Sequence, residues 1–205
     1  MFFKCLPVGF LAANCYILGD EKTKKAVIID PGGDAQSILN VINKNDFCVE
    51  LVILTHGHPD HIGALQEILR KTGAKVAFHE KEEALLLNAK KQRQGYFDIE
   101  SSSEVKIKLK GGEILKIGEI NLKIIHTPGH TPGGICIKVN DMIFTGDTLF
   151  AGSIGRTDFP GGSYEQIMES INTKLLTQKD QTVIYPGHGG KSTIKQEKAT
   201  NPFLQ

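Results

Sequence analysis

The sequence predicts an α/β fold of two mixed β-sheets with helices on their outer faces. Three observations point there. Hairpin-like strands occur in both halves of the chain, a β-α-β-α segment lies in the first half, and four apolar strands end in turns that carry Gly or Pro beside His or Asp. A single doubly wound sheet accounts poorly for the hairpins.

The elements follow in order. Phe3 to Val8, Cys15 to Leu18 and Ala26 to Asp30 are short β-rich runs, separated by turn-prone Gly19-Asp20 and charged Glu21-Lys22, which make an antiparallel opening. Gly32-Gly33-Asp34 introduces a helix reaching Asn43. The apolar run Val49 to Leu54 is the next strand. After Pro59, the stretch Asp60 to Arg70 has apolar residues at helical spacing. Lys75 to Phe78 reads as a strand and Lys81 to Ala89 as a helix. In the second half Ile120 to Ile125, Gly134 to Val139, Met142 to Phe144 and Thr182 to Tyr185 are strand-like. Tyr164 to Leu176 has the 3.6 period, with Ser163 as its N-cap. There is no obvious internal repeat.

Composition narrows the function. A chain of 205 residues can bury one substantial core, and no linker divides it, so residues 1–205 are expected to form one domain. Lys and Arg number 24 against 23 Asp and Glu, a formal charge of +1. Such a balance creates no field to draw nucleic acid or an anionic membrane, which leaves a small-molecule substrate as the expected partner. The Lys-rich segment Lys90 to Arg93 reads as a solvated face. Cys5, Cys15, Cys48 and Cys136 are scattered, with no C-x-x-C pair, and read as small buried hydrophobes of a reducing compartment. No apolar run reaches the roughly 20 residues of a membrane helix. Met1 to Ala13 is apolar with Lys4 near its start, but Pro7 and Gly9 interrupt it and no A-x-A site follows, so the expected location is the cytoplasm. Nothing in the sequence specifies an oligomeric state.

The chemistry is concentrated in Thr55-His56-Gly57-His58-Pro59-Asp60-His61, four potential metal ligands within seven positions. Side chains two apart in an extended segment project to the same side, so His56 and His58 can converge on one ion while Asp60 and His61 reach elsewhere. Three further segments end an apolar strand in the same manner: Thr127-Pro128-Gly129-His130, Thr145-Gly146-Asp147 and Tyr185-Pro186-Gly187-His188. Proline keeps the preceding residue extended and glycine permits a tight approach, so each loop can present its ligand stiffly. One His beside a turn is ordinarily a hydrogen-bonding residue; seven ligand-type side chains at strand ends are not. Five imidazoles and two carboxylates suffice for two divalent ions, with one shared carboxylate and positions left open for water. A structural zinc site would close with four ligands and favour Cys, and no Cys lies in these motifs. Serine catalysis lacks its G-x-S-x-G elbow. His79 and His126 stand outside the set, the first as a turn cap and either as a support for ligands.

On these residues the chain resembles the metallo-β-lactamase superfamily, whose H-x-H-x-D-H signature is followed by separate His, Asp and His ligands. The match spans nearly the whole chain. The resemblance implies a four-layer αβ/βα sandwich with the site at one rim between the sheets. It implies that His56, His58 and His130 hold a first metal, that Asp60, His61 and His188 hold a second, and that Asp147 bridges them. Zinc is the expected metal, with iron or manganese as alternatives.

Gly146-Asp147-Thr148-Leu149-Phe150, the segment Gly152 to Gly162 and Asn201-Pro202-Phe203-Leu204 look like the short, single-domain bacterial glyoxalase II type. That likeness implies hydrolysis of a hydroxyacyl thioester such as S-lactoylglutathione, by attack of a metal-held hydroxide on the thioester carbonyl, with Asp147 orienting the bridge and Asp60 able to accept a proton. The best-known β-lactamases of the superfamily carry Cys where Asp147 stands and lack a ligand at the His61 position, which disfavours antibiotic hydrolysis. Larger glyoxalase II enzymes add a helical C-terminal region with basic and aromatic residues that bind glutathione, and this chain ends soon after His188. Where those enzymes have Lys, this sequence has Arg156, which can pair with a carboxylate of the thiol or brace its loop through Asp158. The alternative reaction is that of a persulfide dioxygenase, similar through Gly155-Arg156-Thr157-Asp158-Phe159, with one iron on His56, His130 and Asp147. A hydrolase of another ester or lactone, or a non-catalytic binding module, completes the set.

Overall fold

The structure, a computed structural model, describes residues 1–91 and 106–205, with the side chains of residues 88–91 left aside. The Lys-rich run Lys90 to Arg93 lies outside the described side chains. The first sheet contains β1 (Phe2–Val8), β2 (Ala13–Gly19), β3 (Lys25–Ile29), β4 (Cys48–Ile53), β5 (Lys75–His79) and β6 (Lys106–Leu109), side by side in chain order. The first three pair antiparallel, and β3 to β6 run parallel. The second sheet is built from β7 (Ile114–Ile117), β8 (Ile120–His126), β9 (Ile135–Val139) and β10 (Met142–Gly146), antiparallel in succession, and continues through β13 (Val183–Pro186) to β14 (Ser192–Thr193). A small hairpin, β11 (Leu149–Phe150) with β12 (Ser153–Ile154), stands apart.

Strand alternation divides the core into three layers of side chains. In β2, Cys15 and Ile17 face the helices α1 (Ala35–Lys44) and α3 (Leu65–Thr72), meeting Ile38, Ile42, Leu65 and Ile68. Their neighbours Tyr16 and Leu18 face the other way, toward Leu122, Ile124, Ile137 and Phe144 of the second sheet. Beyond that sheet, Cys136, Ile143 and Ile184 pack on Ile167 of α5 (Tyr164–Ser170) and Ile194 of α6 (Ile194–Thr200). The order is helix, sheet, sheet, helix, as expected. Strands β2 to β4 are apolar through most of their length, as residues 16–18, 26–29 and 51–53 show, because both of their faces are covered there.

Several expectations need correction. The predicted helix Asp60 to Arg70 is two helices, α2 (Pro59–Ile62) and α3, broken at Gly63-Ala64. At the break, Gly63 is pressed so close to the Gly32 carbonyl that a Cβ would lie 2.4 Å from its oxygen, and the Ala64 amide donates to Pro31 O at 2.9 Å. Packing against the Pro31-Gly32 turn therefore overrides helical periodicity. The helix expected from Lys81 opens as a 3-10 turn, Glu80–Glu82, ahead of α4 (Glu83–Lys91). The helix after Ser163 ends in a π-helical turn, Ile171–Leu175, and Ser163 caps it as predicted, accepting from Gln166 N. Cys15 and Cys136 are buried as expected, but Cys5 is partly covered and Cys48, at the start of β4, is exposed; all four thiols are free. Strands β6, β7, β11, β12 and β14 and helix α6 had no reading in the sequence. No helix among the described residues is long and apolar enough to cross a membrane.

Candidate metal centre

The ligand loops meet at one rim where strands of both sheets end. β4 delivers His56 and His58, with α2 carrying Asp60 and His61; the loop between β8 and β9 delivers His130; β10 leads into Asp147 and β13 into His188. Backbone bonds tie the two sheets together here. Ile135 N donates to Thr55 O at 2.9 Å and Asn14 N to Gly187 O at 2.7 Å, while within the second sheet Gly187 N donates to Gly146 O at 2.8 Å. The structure thus brings together all seven side chains singled out from the sequence.

They form two neighbouring three-residue clusters, His56 with His58 and His130, and Asp60 with His61 and His188; within each, one ligand atom per residue lies within 4.8 Å of the others. Asp147 lies between them, with Oδ1 3.5 Å from His61 Nε2 and Oδ2 3.7 Å from His130 Nε2 and 3.8 Å from His188 Nε2. In the first cluster, the far side of two rings is committed. His130 Nδ1 donates to the Arg156 carbonyl at 2.8 Å. Thr55 Oγ1 donates to Asp30, so it accepts from His56 Nδ1 at 3.1 Å. A neutral imidazole has one donor and one acceptor, which leaves both Nε2 lone pairs aimed inward. His56 Nε2 is buried with no hydrogen-bond partner, and so is Asp147 Oδ1. Orphaned buried acceptors are costly unless a cation satisfies them. The donor set, imidazole and carboxylate, fits divalent metal ions.

The electrostatics of the two clusters differ. Burial, with the neighbouring rings, drives His56 well below the ordinary histidine range and His58 down to about 4. Burial also lowers His130, against the pull of Asp147. In the second cluster burial opposes protonation of His61, but its hydrogen bond to Asp30 and the charges of Asp30, Asp147 and Asp60 outweigh it and hold the ring up to about 9. The hydrogen bond to Asp60 raises His188. Burial of Asp60 is likewise outweighed, by His188 and His61, and its carboxyl falls to about 2. The carboxylates thus favour positive charge on the second cluster, which is also what a cation would supply.

Two buried carboxylates at the site escaped the sequence analysis. Asp30 accepts from Thr55 N, Thr55 Oγ1 and His61 Nδ1, at 2.7, 2.5 and 3.0 Å. Its oxygens are filled by these donors, so although it lies near His56 and His61 it orients ligands instead of serving as one. A signal existed: Asp30-Pro31-Gly32 ends an apolar strand just as the four ligand loops do. Glu82, from the 3-10 turn, accepts from Gly57 N and Gly133 N, both at 2.8 Å; burial pushes its carboxyl up. No local pattern marks it. His79 and His126 stay out of both clusters, stacked on each other at 4.0 Å. His79 caps the 3-10 turn by accepting from Lys81 N, and His126 donates to Pro132 O. Arg156 is at the rim, its guanidinium bonded through two nitrogens to Asp158 and lying 3.8 Å over the Phe159 ring, which in turn is 5.5 Å from His58. Across the site the exposed tip Phe10-Leu11 adjoins His188, whose Nδ1 donates to Leu11 O.

The family model of the metallo-beta-lactamase superfamily matches residues 8–188, which include every ligand loop. The chain belongs to the metallo-β-lactamase superfamily. Among superfamily members it is 42% identical to hydroxyacylglutathione hydrolase GloC of Haemophilus influenzae, a match covering 100% of this chain and 98% of that protein. Two solved structures of similar fold are BLEG-1, a B3 metallo-beta-lactamase, with a TM-score of 0.88, 34% identity and 99% of each chain covered, and TTHA1623 in a di-iron-bound form, with a TM-score of 0.84, 29% identity and 100% of each chain covered. The chain is thus a superfamily hydrolase with clusters suited to divalent metal.

Proposed function

We propose that this superfamily member is a binuclear hydrolase of a small hydroxyacyl thioester of the S-lactoylglutathione kind. The observation that carries the reading is the position of Asp147, whose two oxygens reach rings of both clusters. The full-length similarity to a hydroxyacylglutathione hydrolase supports the substrate class. A pair of bound divalent cations, zinc or iron, would supply a water of pKa about 7 and polarise an acyl carbonyl.

The remaining work belongs to the protein. His56, His58 and His130 would hold one ion, Asp60, His61 and His188 the other, and Asp147 would be shared. Asp30 keeps the His61 ring turned so that Nε2 faces the centre, and the Arg156 carbonyl does the same for His130. Asp60, with its carboxyl held at about 2, stays ionised near neutral pH as a ligand should, and any proton it accepts from the attacking water would be held only weakly. A thiolate is a good leaving group, so the leaving side needs no dedicated acid. Arg156 and Phe159 form one wall of the rim and Phe10-Leu11 the other, and we assign the anionic thiol arm to Arg156, in exchange for Asp158. The substrate is a small molecule and neither nucleic acid nor membrane takes part; four unpaired thiols suit the cytoplasm.

The test pairs metal analysis with a substrate panel on the purified chain. Two ions per chain, thiol release from S-lactoylglutathione and loss of turnover on exhaustive chelation are expected. Two ions with cleavage of only a lactone, or only a β-lactam as the likeness to BLEG-1 would favour, would overturn the thioester assignment. One iron with oxygen uptake on a persulfide would overturn the hydrolase reading in favour of a dioxygenase.

A further inference from the structure

We propose that Glu82 is a positioning residue dedicated to the three-histidine cluster, His56 with His58 and His130. Glu82 contributes no ligand and comes from a segment that carries none, the 3-10 turn after β5. Yet it is 1% exposed, and its two oxygens are divided between the two loops that build this cluster. Oε2 accepts from the amide of Gly57, the residue between His56 and His58. Oε1 accepts from the amide of Gly133, three residues after His130. One carboxylate therefore sets the spacing between a loop of the first sheet and a loop of the second, across which the three imidazoles must converge.

The surroundings are shaped for this contact. A Cβ on Gly133 would lie 2.7 Å from Glu82 Oε1 and 2.8 Å from its Cγ, and one on Gly57 would lie 3.3 Å from Oε2. The close approach at Gly133 requires glycine, and that at Gly57 is tight. The turn that carries Glu82 is held from behind, where His79 accepts from Lys81 N and stacks on His126, whose Nε2 donates to Pro132 O beside Gly133. A carboxylate is the side chain that can accept from both amides at once. Glutamine would turn a donor toward one of them, and alanine would leave both unpaired in the interior. Asp60, His61 and His188 receive no bond from Glu82; among them Asp30 orients His61, and the Leu11 carbonyl holds His188.

The inference rests on the reading of these clusters as metal sites, and the test separates the two. Zn²⁺ affinity of the full-length protein is measured by competition with a chromophoric chelator in two backgrounds, His188→Ala, which disables the second cluster, and His58→Ala, which disables the first. In the first background Glu82→Gln is expected to weaken binding about 10- to 100-fold, as loss of a group that orients ligands does. In the second it is expected to leave affinity unchanged. Gly133→Ala, which pushes Glu82 away from the opposite side, should reproduce the selectivity if Glu82→Gln fails to fold. Equal weakening in both backgrounds, or none in either, would refute the dedicated role. Failure of His188→Ala to bind Zn²⁺ with Glu82 intact would refute the metal reading itself, and the inference with it.

Discussion

His61 Nδ1 lies 3.0 Å from Asp30 Oδ2, with both side chains closed off from solvent. The bond selects which nitrogen of His61 faces Asp60, His188 and Asp147. Asp30→Asn would set an amide N–H₂ either against the Thr55 backbone N–H or against the Thr55 hydroxyl and His61 ring together, so Zn²⁺ affinity at the Asp60–His61–His188 cluster should fall about 10- to 100-fold. Measurement in the His58→Ala background isolates this cluster. An undiminished affinity there would remove Asp30 from any orienting role.

Proton release on metal loading should differ between the clusters. A ligand protonated in the metal-free protein must lose its proton to bind, so apparent affinity climbs with pH until its pKa is passed. His58 at about 4, with His56 and His130 also lowered, favours the neutral form at pH 7, and the first cluster should load with little pH dependence from neutral pH upward. His61 at about 9, with His188 raised, should make the second cluster gain affinity from pH 6.5 to about 9. Calorimetry in buffers of different ionisation enthalpy reads the protons directly. Equal release from both clusters would contradict the assignment of these shifts.

The same asymmetry acts on the metal-free fold. Since His61 is raised in the folded state, its contribution to stability is complete below its unfolded value near 6.5 and fades as pH rises through about 9.

Gly187 stands where the centre has no room for another atom. A Cβ there would lie 2.1 Å from Asp147 Oδ1 and 2.8 Å from His61 Cε1, whereas one on Gly190 would meet nothing within 4 Å. Gly187→Ala should displace both ligands, cost the metal-free protein about 1–3 kcal/mol through overpacking, and abolish metal-dependent turnover. Gly190→Ala should leave the thermal midpoint and metal content unchanged. Retention of full metal content by Gly187→Ala would show that the loop relaxes freely, against the tight joint with Gly146.

The layers and the ligands were legible because each has a local cause. Apolar alternation in Cys15-Tyr16-Ile17-Leu18 distributes side chains to two faces whatever lies beyond them, and Pro or Gly beside His130, Asp147 and His188 stiffens each loop within a few residues. Asp30 obeys the same rule, since Asp30-Pro31-Gly32 ends an apolar strand as the ligand loops do. Strands β6 and β7 were harder: Ile114 is exposed, and two four-residue segments have too few positions to establish a period.

The sequence by itself determined the two-sheet architecture and the identity of the seven candidate ligands, since periodicity and turn chemistry act over a few residues. Tertiary structure alone decided the break at Gly63, the committed faces of His61 and His130, and the seat of Glu82 between two ligand loops. Those features depend on partners 25 or more residues away in the chain, such as Asp30 for Thr55 and Gly133 for Glu82. Such distances are closed only when the sheets pack, and burial then turns an ordinary carboxylate into a fixed acceptor.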